Sequence, residues 1–228
     1  MGAGELLPSE STLSRTYEAS RITVRKALEL LRKDGIVESR QGFGWFVVFK
    51  PVEQSLGRFS TIEDQLGEIG VVPRRQILNS KKVKAEGRIL EVLGGGEILE
   101  VTRLNLADGV PFARVTVWIP AFLADTFSIR DFEERSFYQL LSESDGLRRP
   151  LSHATQTIAA VAMPEVDAKL LGVPAGSPAL ECERITFDDS DYPILLSASI
   201  FPGNKTLFVT ELTSQVGSIA PTGLRLVE

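Results

Sequence analysis

Apolar spacing along the first fifty residues predicts two helices followed by two strands. Leu7-Pro8-Ser9-Glu10 reads as a helix start: Ser9 can cap the exposed N–H groups, and an acidic residue follows near the positive end. A short helix is predicted from there to about Tyr17, with Glu18-Ala19 as the turn. Ser20 then caps a second helix, in which Val24, Ala27, Leu28 and Leu31 recur at i, i+3, i+4 and i+7 as one apolar stripe. Asp34-Gly35 ends it. Residues 36–40 then predict a strand, Gln41-Gly42-Phe43-Gly44 a turn, and 45–48 a returning strand.

Residues 51–57, Pro51-Val52-Glu53-Gln54-Ser55-Leu56-Gly57, lack periodicity and carry Pro and Gly, which predicts a linker. The chain therefore divides into a domain at 1–50, a linker at 51–57, a larger domain at 58–213 and a tail at 214–228. The larger domain contains an internal echo. Leu99-Glu100-x-x-Arg103-Leu104-x-Leu106 recurs 81 residues later as Leu180-Glu181-x-x-Arg184-Ile185-x-Phe187, and Asp108, Pro111 and Pro120 find partners in Asp189, Pro193 and Pro202. Each copy reads as a hairpin preceded by a helix. The first helix, about 85–93, stops at Gly94-Gly95-Gly96; the second starts at Pro164 and ends at Gly172. A further helix is expected near 136–142 and a β-favouring strand at 152–162. Two helix-plus-hairpin units predict one mostly antiparallel sheet with helices packed on it, an α+β domain.

Charge sharpens the division. Of the 228 residues, 1–50 hold eight Lys/Arg against six Asp/Glu, while the remainder holds 17 against 24. Five of the eight basic residues lie between Arg21 and Lys33, a local concentration that favours phosphate over the acidic whole-chain average of −5. One cysteine, Cys182, and one histidine, His153, rule out an intrachain disulfide, a CxxC metal or redox site and a His-pair metal site within one chain. Cys182 is expected as buried strand packing and His153 in a surface or core role. The glycine run is not followed by Gly-Lys-Ser/Thr and opens no helix, so it is no phosphate loop. With no nucleophile elbow and no Walker or Rossmann pattern, an enzyme is not expected, nor is any cofactor or metal. No apolar run reaches the roughly 18 residues of a membrane span, and Met1–Glu10 has no basic-then-apolar leader, so a soluble cytoplasmic protein is expected.

Through LPSE and SRITVRKALELLRKDGIVESRQGFGWFV the N-terminal segment resembles the GntR family of regulators. The resemblance implies a winged helix-turn-helix, whose second helix enters the major groove and presents its first turns to base edges. It places DNA contacts at Ser20, Arg21, Thr23, Arg25 and Lys26 on that helix and at Arg40, Gln41 and Gly42 on the wing. The family ordinarily has Arg directly after the LPSE glutamate; Ser11 stands there, so one contact is expected to be lost. Family members also carry an earlier helix, some 20 or more residues upstream, whereas this chain starts almost at LPSE. Either the start lies further upstream or the segment is truncated, or the domain lacks that helix. In the last case the stripe of Val24, Leu28 and Leu31 loses part of its cover, with weaker DNA binding or a mobile N-terminal domain expected.

The larger domain resembles the UTRA ligand-binding domain of the HutC branch, whose fold is like chorismate lyase. The markers are FSTIEDQLGEIGVVPRRQIL, R-x-N-x-A-D-G-V-P, RSFYQLL and LLGVPAGSPALECERITFD, in that order. The resemblance implies a regulator, a repressor by expectation, that binds double-stranded operator DNA as a homodimer under control of a small-molecule effector. It places the effector's anionic end at Ser60, Thr61 and Arg103, and lines the same pocket with Asn105, Val115, Ser136, Tyr138 and Leu195. An echoed Arg184 suggests that Arg103 also shares a structural role, and Ser136 and Tyr138 suit a helix cap and a core residue equally well. Val115 and Leu195 replace glutamates of sugar-binding members, so the expected effector has one acidic or polar end and an apolar body. The alternative is a small-molecule sensor whose DNA binding is impaired or lost.

Overall fold

The computed structural model describes residues 6–40, 44–48, 52–56, 65–66, 70–125, 127–143 and 150–210. The N-terminal unit is built as its spacing predicts. Ser9 caps α1 (Glu10–Thr16) by accepting from Thr12 N, and Ser20 caps α2 (Arg21–Lys33) by accepting from Thr23 N. The hairpin of β1 (Val37–Arg40) and β2 (Gly44–Val47) follows, antiparallel, with Arg40 opposite Gly44. Leu7 N donates to Trp45 O at 2.7 Å, so the chain leading into α1 is stitched to β2. The core of this unit is small: Val24, Leu28, Val37 and Trp45, with Leu7, Leu13 and Ala19 packed beside them. The stripe of α2 is therefore buried over half its width only. Ala27 is exposed and Leu31 stays 36% exposed, because no described element lies against that side of the helix.

The larger unit is organised around a six-stranded antiparallel sheet of order β4-β5-β6-β9-β8-β7. Its strands are β4 (Pro73–Lys84), β5 (Glu97–Ala107), β6 (Val110–Pro120), β7 (Leu151–Ala162), β8 (Pro178–Asp188) and β9 (Pro193–Pro202). The internal echo becomes a pseudo-two-fold arrangement. The unit β4, α3 (Gly87–Leu93), β5, β6 has its counterpart in β7, α7 (Glu165–Leu171), β8, β9, and the halves join where β6 pairs with β9, Thr116 opposite Ala198. Both repeat helices pack on one face. Leu93 of α3 meets Ile98 and Leu196, while Ala168 and Leu171 of α7 meet Leu104 and Ile200. Helix α7 is also clamped by an ion pair: Arg114 reaches both carboxylate oxygens of buried Asp167, at 2.6 and 3.0 Å. Gly172 ends α7 at φ 64°, a left-handed turn that a β-carbon would strain. Pro164 caps this helix from outside instead of forming its first residue.

The opposite face is covered by α4 (Ala121–Ala124), α5 (Ile129–Glu134) and α6 (Phe137–Glu143). Phe132, Phe137, Leu140 and Leu141 descend from these helices onto Val101, Val115, Val117 and Leu195. Because side chains alternate across a strand, every second residue of β5, β6, β8 and β9 faces this layer. Residues 52–55, expected as linker, instead form β3 (Val52–Ser55), which pairs in parallel with β10 (Thr206–Val209) as a separate two-stranded ribbon. Alternation explains the difference: Val52 and Gln54 are buried against the larger unit while Glu53 is exposed, so the segment has a strand's period with glutamine in an apolar slot. The expected tail at 214–228 lies outside the described residues.

Candidate functional site

The first two turns of α2 present Arg21, Thr23, Arg25 and Lys26 to solvent beside an N-terminus whose free N–H groups carry partial positive charge. Ser20 is engaged as the cap, 3.1 Å from Thr23 N and 2.9 Å from Thr23 Oγ1. Arg25 is not loose. Its Nε and Nη2 donate to the two carboxylate oxygens of Glu10, at 3.2 and 3.1 Å, and Trp45 Nε1 donates to the same carboxylate at 3.3 Å. One acidic residue thus ties α1, α2 and the wing strand together and aims a guanidinium outward. The Arg25 hydrogen bond, then the Trp45 one, holds Glu10 below the usual carboxylate range. Ser11 is half-buried, its Oγ 2.8 Å from Ser9 Oγ within the cap of α1. Arg40 lies at the wing end of β1, and Gln41 and Gly42 fall outside the described residues.

A cavity of about 80 Å³ opens on the α6 side of the sheet, where the two pseudo-symmetric halves meet. That is room for several waters, by the measure in which one water needs about 10–15 Å³. Arg103 and Asn105 of β5, Val115 of β6, Ser136 and Tyr138 at the start of α6, and Leu195 of β9 all line it. Six of the eight effector positions implied by the resemblance therefore converge on one hole; Ser60 and Thr61 lie outside the described residues. Register accounts for the convergence. Arg103 stands opposite Val115, Val115 opposite Ser199, and Ser199 opposite Cys182, a row crossing four strands on the same face.

Sequence reading missed part of the wall. Arg184 belongs to it, and its echo of Arg103 was the signal: the repeat places both guanidinium groups at equivalent points of the two halves. Ser197 and Ser199 follow from Leu195 by alternation. Gln54 of β3 had no signal, sitting in a segment without apolar period.

The cavity gathers cationic and hydroxyl groups in a half-apolar wall. Arg103 is 6% exposed, with its guanidinium carbon 5.5 Å from the Phe137 ring centre. Arg184 Nε donates to Gln156 Oε1 at 2.7 Å, which steers the fork along the cavity wall. Ser136 and Gln139 form a reciprocal cap: Gln139 N donates to Ser136 Oγ at 3.1 Å and Ser136 N to Gln139 Oε1 at 2.9 Å. The Tyr138 hydroxyl lies 2.9 Å from Thr186 Oγ1. Burial pushes the Cys182 thiol up to about 12, so it stays a neutral, unreactive wall atom. The described lining holds two arginines, carboxamides and hydroxyls but no aspartate or glutamate. Such a site rewards a negative charge and penalises a cation. His153 lies elsewhere, stacked 4.7 Å from the Phe187 ring. Among the described residues no group of three or more His, Cys, Asp or Glu could hold a metal ion, and no helix is long and apolar enough to cross a membrane.

Both units match known families. Residues 1–47 match the model of the bacterial regulatory proteins of the gntR family, and residues 68–206 match that of the UTRA domain. HTH-type transcriptional repressor NagR of Bacillus subtilis is 27% identical over 206 residues, covering 89% of this chain and 84% of the repressor. HTH-type transcriptional regulator Rv0792c of Mycobacterium tuberculosis is 34% identical over 196 residues, 84% of this chain and 71% of that protein. The crystal structure of PhnF from Mycobacterium smegmatis superposes with a TM-score of 0.65 at 26% identity, over 94% of this chain and 95% of that one.

Proposed function

We propose, from the premise that this chain belongs to the GntR family of bacterial regulatory proteins and carries its UTRA domain, that an anionic small molecule in the cavity sets how α2 meets operator DNA. As a member of that family the chain is a DNA-binding transcription regulator whose DNA binding answers to a small-molecule effector, and it is not an enzyme. The observation that carries the effector's chemistry is the pairing of Arg103 with Arg184 in a lining without a carboxylate. Val115, Leu195 and the Phe137 ring opposite them favour an apolar body on the ligand. On the DNA side, Arg21, Arg25 and Lys26 supply charge for phosphates and guanine edges, Ser20 and Thr23 small hydroxyls, and Arg40, Gln41 and Gly42 the wing contact. Two copies acting on a pseudo-palindrome would match the docking geometry of such readers. Coupling of about 1–3 kcal/mol would change operator affinity about 5- to 150-fold.

The test is a thermal-shift screen of the full chain against sugar phosphates, phosphonates and carboxylic acids with apolar bodies, together with their uncharged counterparts. A ligand at 100 times its dissociation constant adds about 2.7 kcal/mol of stability. Anionic members should shift the transition, uncharged ones should not, and Arg103→Ala should abolish the shift. A screen led by uncharged compounds, or a shift indifferent to Arg103→Ala, would defeat the reading. Operator duplexes selected from a random pool by the same protein then report the coupling. A second reading, a sensor with weakened DNA binding, draws support from the exposed Leu30, Leu31 and Ile36 beside a four-residue core. Failure to enrich any duplex would favour it.

A further inference from the structure

Among the described polar residues of the cavity, Gln54 alone belongs neither to the six-stranded sheet nor to the helices above it and their caps. It stands on β3, which begins five residues after the wing strand β2 ends at Val47. Its side chain is 3% exposed, and its Nε2 has no hydrogen-bond partner among the described residues. A buried N–H without an acceptor is a cost that a ligand oxygen would remove. The strand carrying it has a short backbone pairing, although Val52 beside it is buried in the main core. Among the described residues β3 pairs with β10 only, in parallel and over four residues, a ribbon far shorter than the main sheet. Opposite Val52, the hydroxyl of Thr206 is likewise buried and unpartnered, so this ribbon is imperfectly satisfied at two of its four registers. Ser55 N donates to Gln65 Oε1 at 2.7 Å, a further local tie at the strand's end.

We infer that Gln54 is the residue through which an occupant of the cavity acts on the DNA reader. Its Nε2–H donates to an acceptor oxygen of the bound anion. That bond fixes β3 against β10, and β3 follows the wing strand by only a few residues of chain. Arg103 and Arg184 bind the charge, while Gln54 reports that the charge is present. The inference rests on the reading of the cavity as the effector site, and the experiment separates the two.

Phenyl phosphate, with an anionic end and an apolar body, serves as the probe on the full chain. Thermal shift reads binding, and amide hydrogen exchange of residues 44–56 reads coupling. Gln54→Met keeps length and burial without the donor; Gln54→Glu places a carboxylate toward the anion. In the wild type, phenyl phosphate should raise the melting temperature and slow exchange in β3 at least tenfold. Gln54→Met should weaken binding several-fold and remove the slowing in β3, while saturating probe still protects β5 around Arg103. Gln54→Glu should weaken binding further. Without probe, Gln54→Met should melt at or above the wild-type temperature, since it removes an unpaired buried group; a marked drop would mean that Gln54 is structural and would overturn the inference. Wild-type affinity and β3 protection in Gln54→Met would also overturn it while leaving the cavity reading intact. No effect of phenyl phosphate on the wild-type protein would retire both.

Discussion

Asp131 anchors a surface hydrogen-bond network at the helix that backs the cavity. Its Oδ2 accepts from Ser128 N at 2.8 Å and Ser128 Oγ at 2.7 Å, and Arg135 Nη2 donates to its Oδ1 at 2.7 Å. This capping box starts α5, which carries Phe132; Phe132 stacks on Phe137 at 5.1 Å, and Phe137 lies under Arg103. The Ser128 bonds, then Arg135, hold the Asp131 carboxyl at about 2 instead of the ordinary 3.8. A depressed folded-state value contributes stability that is fully present above the unfolded value and is lost as pH falls through the folded one. Stability from this box should therefore be intact at pH 5 and above, and fade between about pH 4 and 2. Asp131→Asn should melt lower than the wild type at pH 7 and show a shallower decline below pH 4, read by thermal denaturation across pH. Equal pH profiles would disprove the linkage. At this scale sequence found most of the cavity, because its lining was implied by ordered motifs. In the sequence Arg184 points only to a structural role, since an echo alone does not show that two halves share one hole.

Helix α2 was readable from its period, cap and terminating Asp34-Gly35, yet its stripe is only half used. Periodicity reports which residues could face a core, and packing decides which of them do. With Val24, Leu28, Val37 and Trp45 as the buried apolar set among the described residues of this unit, each side chain carries a large share of its core. Leu28→Ala should cost about 2–5 kcal/mol. It should lower a reader transition in calorimetry and reduce operator affinity at least tenfold, while the phenyl phosphate shift of the larger unit persists. Twofold or smaller loss of DNA affinity would contradict this. Strand β4 escaped sequence reading for two physical reasons. A register shift between Ile77 and Asn79 breaks its alternation, and a half-buried arginine, Arg75, stands where the period calls for an apolar residue. β3 escaped because a buried glutamine does not register as an apolar position.

For the whole molecule, the division of charge decides how the units meet their ligands. The reader carries its positive charge on α2, whereas residues 51–228 hold 24 acidic against 17 basic residues, a body that DNA repels. DNA binding should accordingly weaken steeply with salt. Arg21→Ala should reduce the slope of log affinity against log salt by about 1 if Arg21 meets a phosphate, measured by titration at four or more salt concentrations. An unchanged slope with relaxed sequence preference would move Arg21 to a base edge. The pseudo-two-fold sheet was legible from the repeat of Arg103 and Arg184, while the β3–β10 closure between distant segments was not.

That closure also has a schedule. Strand β3 ends at Ser55 and its partner at Val209, so about 150 residues must be synthesised between them. At about 5–20 residues per second, the reader leaves the ribosome about 8–30 s before β10 exists. The β3–β10 closure thus forms after the reader has been made, so, on the proposed coupling through Gln54, a nascent or C-terminally shortened chain would carry a reader that its effector cannot yet command.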